Sequence, residues 1–279
     1  MTMRFISIES FEDSRVDLYR SIKDKHLRAR EGLFVVEGRE NLRCMLESSS
    51  YTPISILVSP PAYEALRDAL DQVDVSIPIY CVPGPIMREL AGFDLHRGCL
   101  ALGIRPKAEN VSDFIQRLPP RPAASCVVVL ENLGNHDNVG GLFRSARALG
   151  ADAVVMCPRS CDPLYRKAIR VSMGASLCLP WVRDPDWPGS LEQLRQAGYQ
   201  SVALDPGGEP LSHRSQWPSR VALILGTEGE GLSRDLLAAA DFKRAIPMAA
   251  EIDSLNVTVA GGIALHAWRD SLSAQKEDL

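Results

Sequence analysis

The second half of the chain contains short runs that are apolar at every position. The clearest are "VVVL" at residues 127–130, "AVVM" at 153–156 and "VALIL" at 221–225. A strand with one wet face alternates apolar and polar residues, so an uninterrupted apolar run predicts a strand buried on both faces of a parallel sheet. Helical patterns such as "SLEQLRQAG" and "SRDLLAAA" separate these runs. The sequence therefore predicts an α/β domain over residues 125–279, with a parallel sheet between helices.

The first 105 residues predict a smaller α/β domain. Strand patterns ("LFVVEG", "ISILVS", "IPIYCV" and "GCLALGI") alternate with helix patterns ("RENLRCMLES", "AYEALRDAL" and "PIMREL"), which predicts a mixed or parallel sheet covered by helices. Residues 106–124 hold four prolines around one short amphipathic helix and predict a linker. A basic cluster lies on a helix predicted over residues 13–31; it comprises Arg15, Arg20, Lys23, Lys25, Arg28 and Arg30. The cluster is either a solvated helix face or a local patch for an anionic partner.

Composition and charge narrow the class of protein. The chain is 46% hydrophobic and 24% charged, as in an ordinary globular protein. No apolar run approaches the roughly 20 residues that span a bilayer, and the first residues lack the apolar core of a secretory signal. The seven cysteines are scattered and never spaced C-x-x-C, which favours free thiols in a reducing cytoplasm. A net charge of -4 argues against a broadly basic coat for nucleic acid.

Ligands of open α/β sheets bind at the carboxyl ends of the strands, and three segments that follow predicted strands stand out. The first is "NHDNVGGLFRSARALG", residues 135–150. Asn138 is predicted to cap a helix, and the spacing places Gly140, Arg144 and Arg147 on one face. A glycine one turn before an arginine leaves room for a bulky ligand beside a guanidinium that suits phosphate. The alternative is an exposed arginine on an ordinary amphipathic helix.

The second segment is "ILGTEGEGLS", residues 224–233. Its three glycines follow a predicted strand and precede a helix, but their order, G-x-x-G-x-G, is not that of the dinucleotide fingerprint. Glu228 and Glu230 also oppose a phosphate cradle. A turn that exposes backbone groups to a neutral or cationic ligand fits better, and a purely structural glycine turn is the alternative.

The third segment is "IPMAAEIDSLNVTVAGGIALHAW", residues 246–268. Ser254 or Asn256 is predicted to cap the final helix. The small residues around Gly261 and Gly262 would let another backbone approach closely. The sequence therefore predicts tight packing against a second helix, which belongs either to the same chain or to a second subunit.

Other chemistries find little support in the sequence. There is no G-x-S-x-G nucleophile elbow and no H-E-x-x-H metal helix, and the five histidines are dispersed, so no metal site is expected. A nicotinamide-dependent dehydrogenase would need G-x-G-x-x-G after an early strand and an acidic residue about 20 positions later. Neither feature occurs where it is required.

Taken together and in this order, the three segments resemble the signature of the TrmH/SpoU family of RNA ribose 2′-O-methyltransferases, in the SPOUT superfamily. The matching residues are Asn138-Val-Gly140 with Arg144-Ser145-Ala146, then Leu223-Ile-Leu225-Gly226-Thr-Glu228 with Gly231-Leu232, and then Ile246-Pro-Met248 with Ser254-Leu-Asn256-Val. The chain has Asn135-His136 where the family often has Asp-Pro. Upstream, "FVVEGRENL" and "RGCLALG" resemble, less specifically, an L30e-like RNA-binding domain.

The resemblance implies a SPOUT-type α/β fold with a C-terminal trefoil knot, a rare exception to unknotted topology. It further implies bound S-adenosylmethionine, an rRNA or tRNA substrate, and a homodimer with the active site at its interface. Carried over residue by residue, the cofactor would be held by Gly226, Thr227, Ile246, Met248, Leu255 and Asn256. The expected catalytic residues are Arg144, Asn138, Glu228, Ser254 and Asn256.

The resemblance also suggests how the reaction would proceed. A guanidinium stays protonated at neutral pH, so Arg144 would clamp an RNA phosphate and stabilise the developing alkoxide. That phosphate or Glu228 would then accept the proton, while Gly140 and Gly141 would let the ribose-phosphate and the cofactor approach the helix. The main competing interpretation is a non-catalytic RNA-binding protein that kept the fold. The presence of Arg144, Glu228 and Asn256 argues against it.

Overall fold

The computed structural model describes residues 5–20, 32–48, 50–92, 98–212, 215–227 and 229–277. The chain divides into two compact units. Unit 1 comprises residues 1–107 and 163–178, and unit 2 comprises residues 108–162 and 179–279. Residues 163–178 thus group with unit 1, although the sequence analysis placed them in the second domain.

Unit 1 is built on a five-stranded mixed sheet in the order β1-β4-β3-β5-β2. Strand β5 is antiparallel to both of its neighbours, β2 and β3, whereas β4 is parallel to β1 and β3. The strands are β1 (Phe5–Ser7), β2 (Leu33–Glu37), β3 (Pro53–Val58), β4 (Ile79–Cys81) and β5 (Cys99–Ile104). The helices described in this unit are α1 (Arg39–Glu47), α2 (Pro60–Leu70), α3 (Gly84–Ala91), α6 (Arg166–Val171) and α7 (Ala175–Cys178). The predicted mixed α/β architecture is confirmed, with β1 as an additional strand.

The predicted basic helix is wrong over its first part. Residues Ser14–Tyr19 form a 3-10 helix, and the chain leaves it in an extended conformation at Arg20. Asp13 caps this turn and binds the Arg15 guanidinium at 2.5 Å, and this hydrogen bond lowers the pKa of Asp13 to about 2. Arg20 lies 3.2 Å from Asp17. The remaining cluster members, Lys23, Lys25, Arg28 and Arg30, lie outside the described residues.

Unit 2 contains a six-stranded sheet in the order β11-β9-β10-β6-β7-β8, and every pair in it is parallel. The strands are β6 (Ser125–Leu130), β7 (Ala153–Met156), β8 (Trp181–Arg183), β9 (Gln200–Pro210), β10 (Arg220–Leu225) and β11 (Phe242–Ala245). Every residue of β6, β7 and β10 is buried. The parallel sheet predicted from the apolar runs is therefore confirmed.

Helices cover the strands of unit 2. They are α4 (Val111–Gln116), α5 (His136–Ala148), α8 (Gly189–Gln196), α9 (Arg234–Ala239) and α10 (Val257–Glu277). Helix α4 lies in the predicted linker, but Val111, Phe114 and Ile115 join the core cluster beneath the sheet. The apolar run "LCLPWV", residues 177–182, is a strand only at its end, because residues Ala175–Cys178 form α7 and β8 begins at Trp181. Short apolar runs do not distinguish strand from helix.

The described residues contain neither a candidate membrane span nor a candidate metal site. No described helix combines the length and apolar character that a membrane crossing requires. Among the same residues, no group of three or more histidine, cysteine or acidic side chains is placed to hold a metal ion. None of the seven cysteines forms a disulfide.

Candidate active site

A cavity of about 300 Å³ lies at the carboxyl ends of β10 and β11 and beside the middle of β9. The three strands are neighbours in the sheet and run in one direction, so the segments that follow β10 and β11 meet at one edge. The cavity is lined by Leu204, Asp205, Pro206, Leu225, Gly226, Thr227, Gly229, Glu230, Gly231, Ile246, Met248, Asp253, Ser254, Leu255, Val257 and Ala260. The second and third segments singled out in the sequence therefore share one site.

The loop after β10 folds back on itself. The Gly231 N–H donates to the Thr227 carbonyl at 3.1 Å, and Gly231 has a φ of 69°, a conformation that favours glycine. A Cβ placed on Gly226 would lie 2.5 Å from the carbonyl carbon and oxygen of Gly231. Gly226 is therefore required by the close approach of two backbone segments. With no side chains on Gly226, Gly229 and Gly231, the loop lines the cavity largely with backbone.

The charged groups in the cavity wall all carry the same sign. Asp205, Glu230 and Asp253 line the cavity, and the described lining residues include no lysine, arginine or histidine. Carboxylates attract a cation and repel a phosphate. The wall thus suits a neutral or cationic ligand, as predicted from the sequence of the loop, and disfavours a nucleotide phosphate.

Asn138 was predicted to cap helix α5, and this prediction is wrong. The cap is Asn135, whose side chain accepts from the Asp137 N–H at 2.8 Å. Asn138 lies inside the first turn, is buried, and accepts at its Oδ1 a hydrogen bond of 3.0 Å from Asn256 Nδ2. Asn256 in turn caps α10, because its Oδ1 accepts from the Thr258 N–H at 2.9 Å. This amide pair joins the first segment to the rim of the cavity between Leu255 and Val257.

The small residues of α5 and α10 serve the packing of these two helices. A Cβ on Gly141 would lie 2.6 Å from Thr258 Cγ2, and one on Gly261 would lie 2.5 Å from Leu142 Cδ2. The predicted tight packing of the last helix is therefore confirmed within the chain. The expectation that Gly141 makes room for a ligand is wrong, because Thr258 occupies that space.

The other predicted site residues fall into three groups: residues that line the cavity, one exposed arginine, and one glutamate outside the described residues. Gly226, Thr227, Ile246, Met248, Leu255 and Ser254 line the cavity. The side chain of Arg144 is exposed on α5, is not part of the cavity wall, and makes no hydrogen bond or ion pair with the residues that the structure describes. Glu228 lies outside the described residues. The structure thus gathers five of the six predicted cofactor residues at the cavity, whereas Asn256 lies at its rim and is bonded to Asn138. It leaves the Arg144 guanidinium open to solvent.

Sequence reasoning missed two parts of this site. One is the middle of β9, where Leu204, Asp205 and Pro206 line the cavity directly after Ala203, the last residue of β9 that pairs with β10. The other is Glu131, the residue after β6, which is only 3% exposed. The available signal was a glutamate directly after an all-apolar strand. A carboxylate at such a position is rarely buried unless it has partners.

Comparison with known proteins identifies the family. Residues 125–266, half of the chain, match the model of the SpoU rRNA Methylase family. The chain belongs to this family. Its members are RNA methyltransferases, and the matched region begins at β6 and ends within α10.

Relatives and solved structures agree with this membership. An uncharacterized tRNA/rRNA methyltransferase of Mycobacterium tuberculosis is 34% identical over 263 residues, 91% of this chain and 88% of the relative. A Synechocystis protein described in the same words is 28% identical, over 96% of this chain and 95% of its own length. A structure described as an RNA 2′-O ribose methyltransferase is 25% identical, with a TM-score of 0.76 over 96% of this chain and 100% of the other. The AdoMet-bound rRNA methyltransferase of Sinorhizobium meliloti, 22% identical, has the same fold, with a TM-score of 0.79 over 96% and 99% of the two chains.

Proposed function

We propose that this protein transfers a methyl group from S-adenosylmethionine to a ribose 2′-hydroxyl of rRNA or tRNA. The observation that carries the proposal is the cavity at the carboxyl ends of β10 and β11, with the Asn138–Asn256 pair at its rim. Membership of the SpoU rRNA methylase family supplies the reaction class. A relative by structure described as a 2′-O ribose methyltransferase supports the ribose hydroxyl as acceptor.

The cavity residues fit this cofactor by size and charge. The volume of about 300 Å³ lies at the lower end of the range for small-molecule sites. The wall of glycine backbone and carboxylates suits a ligand with a sulfonium and an ammonium group. The residues proposed to hold it are Gly226, Thr227, Ile246, Met248, Leu255 and Asn256. When bound, S-adenosylmethionine supplies an electrophilic methyl group.

The protein side chains would act on the RNA. The exposed guanidinium of Arg144 is available to clamp a phosphate bidentately and to stabilise the alkoxide that develops on the 2′-oxygen. The proton of that hydroxyl passes to the phosphate or to Glu228. We assign the orientation of these groups to Asn138, Ser254 and Asn256. The hydrogen bond of 3.0 Å between the side-chain amides of Asn138 and Asn256 fixes the start of α10 against α5. Holding two reactants at attack distance contributes up to roughly 7–11 kcal/mol.

Assembly and location are further parts of the proposal. Val259 and Ile263, 52% and 40% exposed, lie one turn apart on α10, and such an apolar stripe favours a homodimer formed through this helix. We further propose that the cofactor loops belong to a C-terminal trefoil knot, that residues 1–105 form an L30e-like RNA-binding domain, and that the enzyme works in the cytoplasm.

The reaction is tested by incubating the purified protein with radiolabelled S-adenosylmethionine and separate pools of unmodified rRNA and tRNA. Digestion to nucleosides followed by mass spectrometry then locates the methyl group. Label in 2′-O-methylribose of one pool is the expected result. Label on a base would contradict the ribose assignment. Bound cofactor with no label in either pool or in intact ribosomal particles would favour the non-catalytic RNA-binding alternative.

A further inference from the structure

Glu131 is bonded to both ends of the loop that lines the cavity. Its backbone N–H donates to the carbonyl of Leu225, the last residue of β10, at 2.9 Å. Its carboxyl Oε2 accepts from the N–H of Ser233 at 2.8 Å. Leu225 precedes Gly226, and Ser233 is the residue that caps α9. Glu131, the residue after β6, is therefore bonded to the residue before the loop and to the last residue of the loop.

The environment of Glu131 holds its carboxyl group in a defined orientation. The residue is 3% exposed, and burying a carboxylate is costly unless hydrogen bonds replace its water. The Trp187 indole N–H supplies a second bond, to Oε1, at 3.3 Å. Each oxygen thus has its own donor, so the side chain is held from two sides and the Ser233 N–H has a fixed acceptor.

The loop held in this way supplies a large part of the cavity wall. Thr227, Gly229, Glu230 and Gly231 all lie on it and all line the cavity. The Gly231–Thr227 backbone bond joins the two sides of the loop, so we expect a shift at Ser233 to be transmitted through Gly231 to Thr227. The position of Ser233 would thereby affect how these cavity residues are placed.

We propose that Glu131 is a positioning residue for the cofactor, acting through the Gly226–Ser233 loop. The inference rests on the proposed function, since it takes S-adenosylmethionine as the ligand. Removing the carboxylate breaks the bond to Ser233 and leaves its N–H without this acceptor. A charge-assisted bond of this kind corresponds to about 10- to 100-fold in an equilibrium constant.

The test is the dissociation constant of S-adenosylmethionine, measured by isothermal titration calorimetry for wild type, Glu131→Ala and Glu131→Gln. We expect the alanine variant to bind about 10- to 100-fold more weakly. The glutamine variant keeps one acceptor oxygen and is expected to lose only about 2- to 10-fold. If the alanine variant does not fold, the glutamine variant alone decides, and wild-type affinity in it would overturn the proposal.

Asp152→Asn is the matched control. Asp152 lies at the opposite end of β6, where its carboxyl accepts from Ser125 Oγ at 2.7 Å and from the Cys126 N–H at 2.9 Å. This substitution also disturbs a carboxylate with two donors, but away from the cavity. We expect a lower unfolding midpoint and an unchanged dissociation constant. An equal loss of affinity in Asp152→Asn would reduce the role of Glu131 to general stability and overturn the inference.

Steady-state kinetics give a second readout. In Glu131→Gln, the KM for S-adenosylmethionine should rise while the KM for RNA and kcat stay near wild type. An unchanged KM for the cofactor would contradict the inference even if the protein were less stable. Failure of the proposed function itself looks different, because wild-type protein would then show no binding of S-adenosylmethionine at all.

Discussion

The two sheets of this chain differ in strand direction, and this difference determines where a site can form. In unit 1, β5 runs against β2 and β3, so the loops are divided between the two edges of the sheet. In unit 2 every pair is parallel, so the segments after β10 and β11 meet at one edge and enclose the cavity together with the middle of β9. The buried strands of both sheets are largely apolar. Strand direction, rather than composition, therefore places the candidate site in unit 2. Four substitutions test this comparison.

Arg144→Ala should have the largest effect. Loss of the proposed phosphate clamp is expected to lower kcat by about 10²–10³-fold or more, while the dissociation constant of S-adenosylmethionine stays unchanged, since Arg144 does not line the cavity. The control is Arg147→Ala, which removes the next exposed arginine of α5. Loss of cofactor binding in Arg144→Ala would contradict the proposed division of roles within unit 2.

Gly226→Ala should weaken cofactor binding about tenfold or more, because a Cβ 2.5 Å from the Gly231 carbonyl forces the loop to move. The control lies in the same loop. A Cβ on Gly229 meets nothing within 4 Å, so Gly229→Ala should leave the affinity nearly unchanged. Calorimetric titration with S-adenosylmethionine compares the two, and equal affinities would show that the backbone approach is not needed for binding.

Gly141→Ala tests whether the small residues of α5 serve packing. The new Cβ would lie 2.6 Å from Thr258 Cγ2, and such overpacking costs roughly 1–3 kcal/mol, which exceeds the gain of about 1 kcal/mol in helix propensity. We expect a lower unfolding midpoint in thermal denaturation. Adding Thr258→Ala should recover part of the loss, since the two methyl groups no longer overlap. An unchanged midpoint in the single variant would refute the packing explanation.

Tyr19→Phe should have the smallest effect and confine it to unit 1. The Tyr19 hydroxyl is buried and lies 2.8 Å from Ser55 Oγ, and this burial raises the pKa of Tyr19. Loss of the hydrogen bond should cost about 1 kcal/mol, visible as faster amide exchange in residues 54–58 of β3. Cofactor affinity should not change. A change in affinity would mean that the cavity depends on packing in unit 1.

The sequence predicted more of unit 2 than of the segments around it. The buried strands β6, β7 and β10 follow from runs that are apolar throughout, because only a strand covered on both faces tolerates them. Segments without such a pattern were predicted less well. The first part of the helix expected over residues 13–31 is a 3-10 helix at Ser14–Tyr19, and the chain is extended at Arg20. Charge and apolar spacing do not distinguish a short 3-10 helix from the start of an α-helix.

The sequence by itself determined the parallel sheet, the segments at its strand ends and membership of a family whose motifs it carries. Which residues meet was decided by the tertiary structure. From the sequence alone, Asn138 is predicted to cap a helix, but in the structure it is hydrogen-bonded to Asn256, far along the chain. From the sequence alone, Gly141 is predicted to leave space for a ligand, but in the structure Thr258 fills that space. Glu131 carries no motif in the sequence, and it acquires its partners only when β6 lies beside β10. The physical reason is that a hydrogen bond or a steric contact depends on distance in space, which sequence spacing specifies only within a helix or a strand.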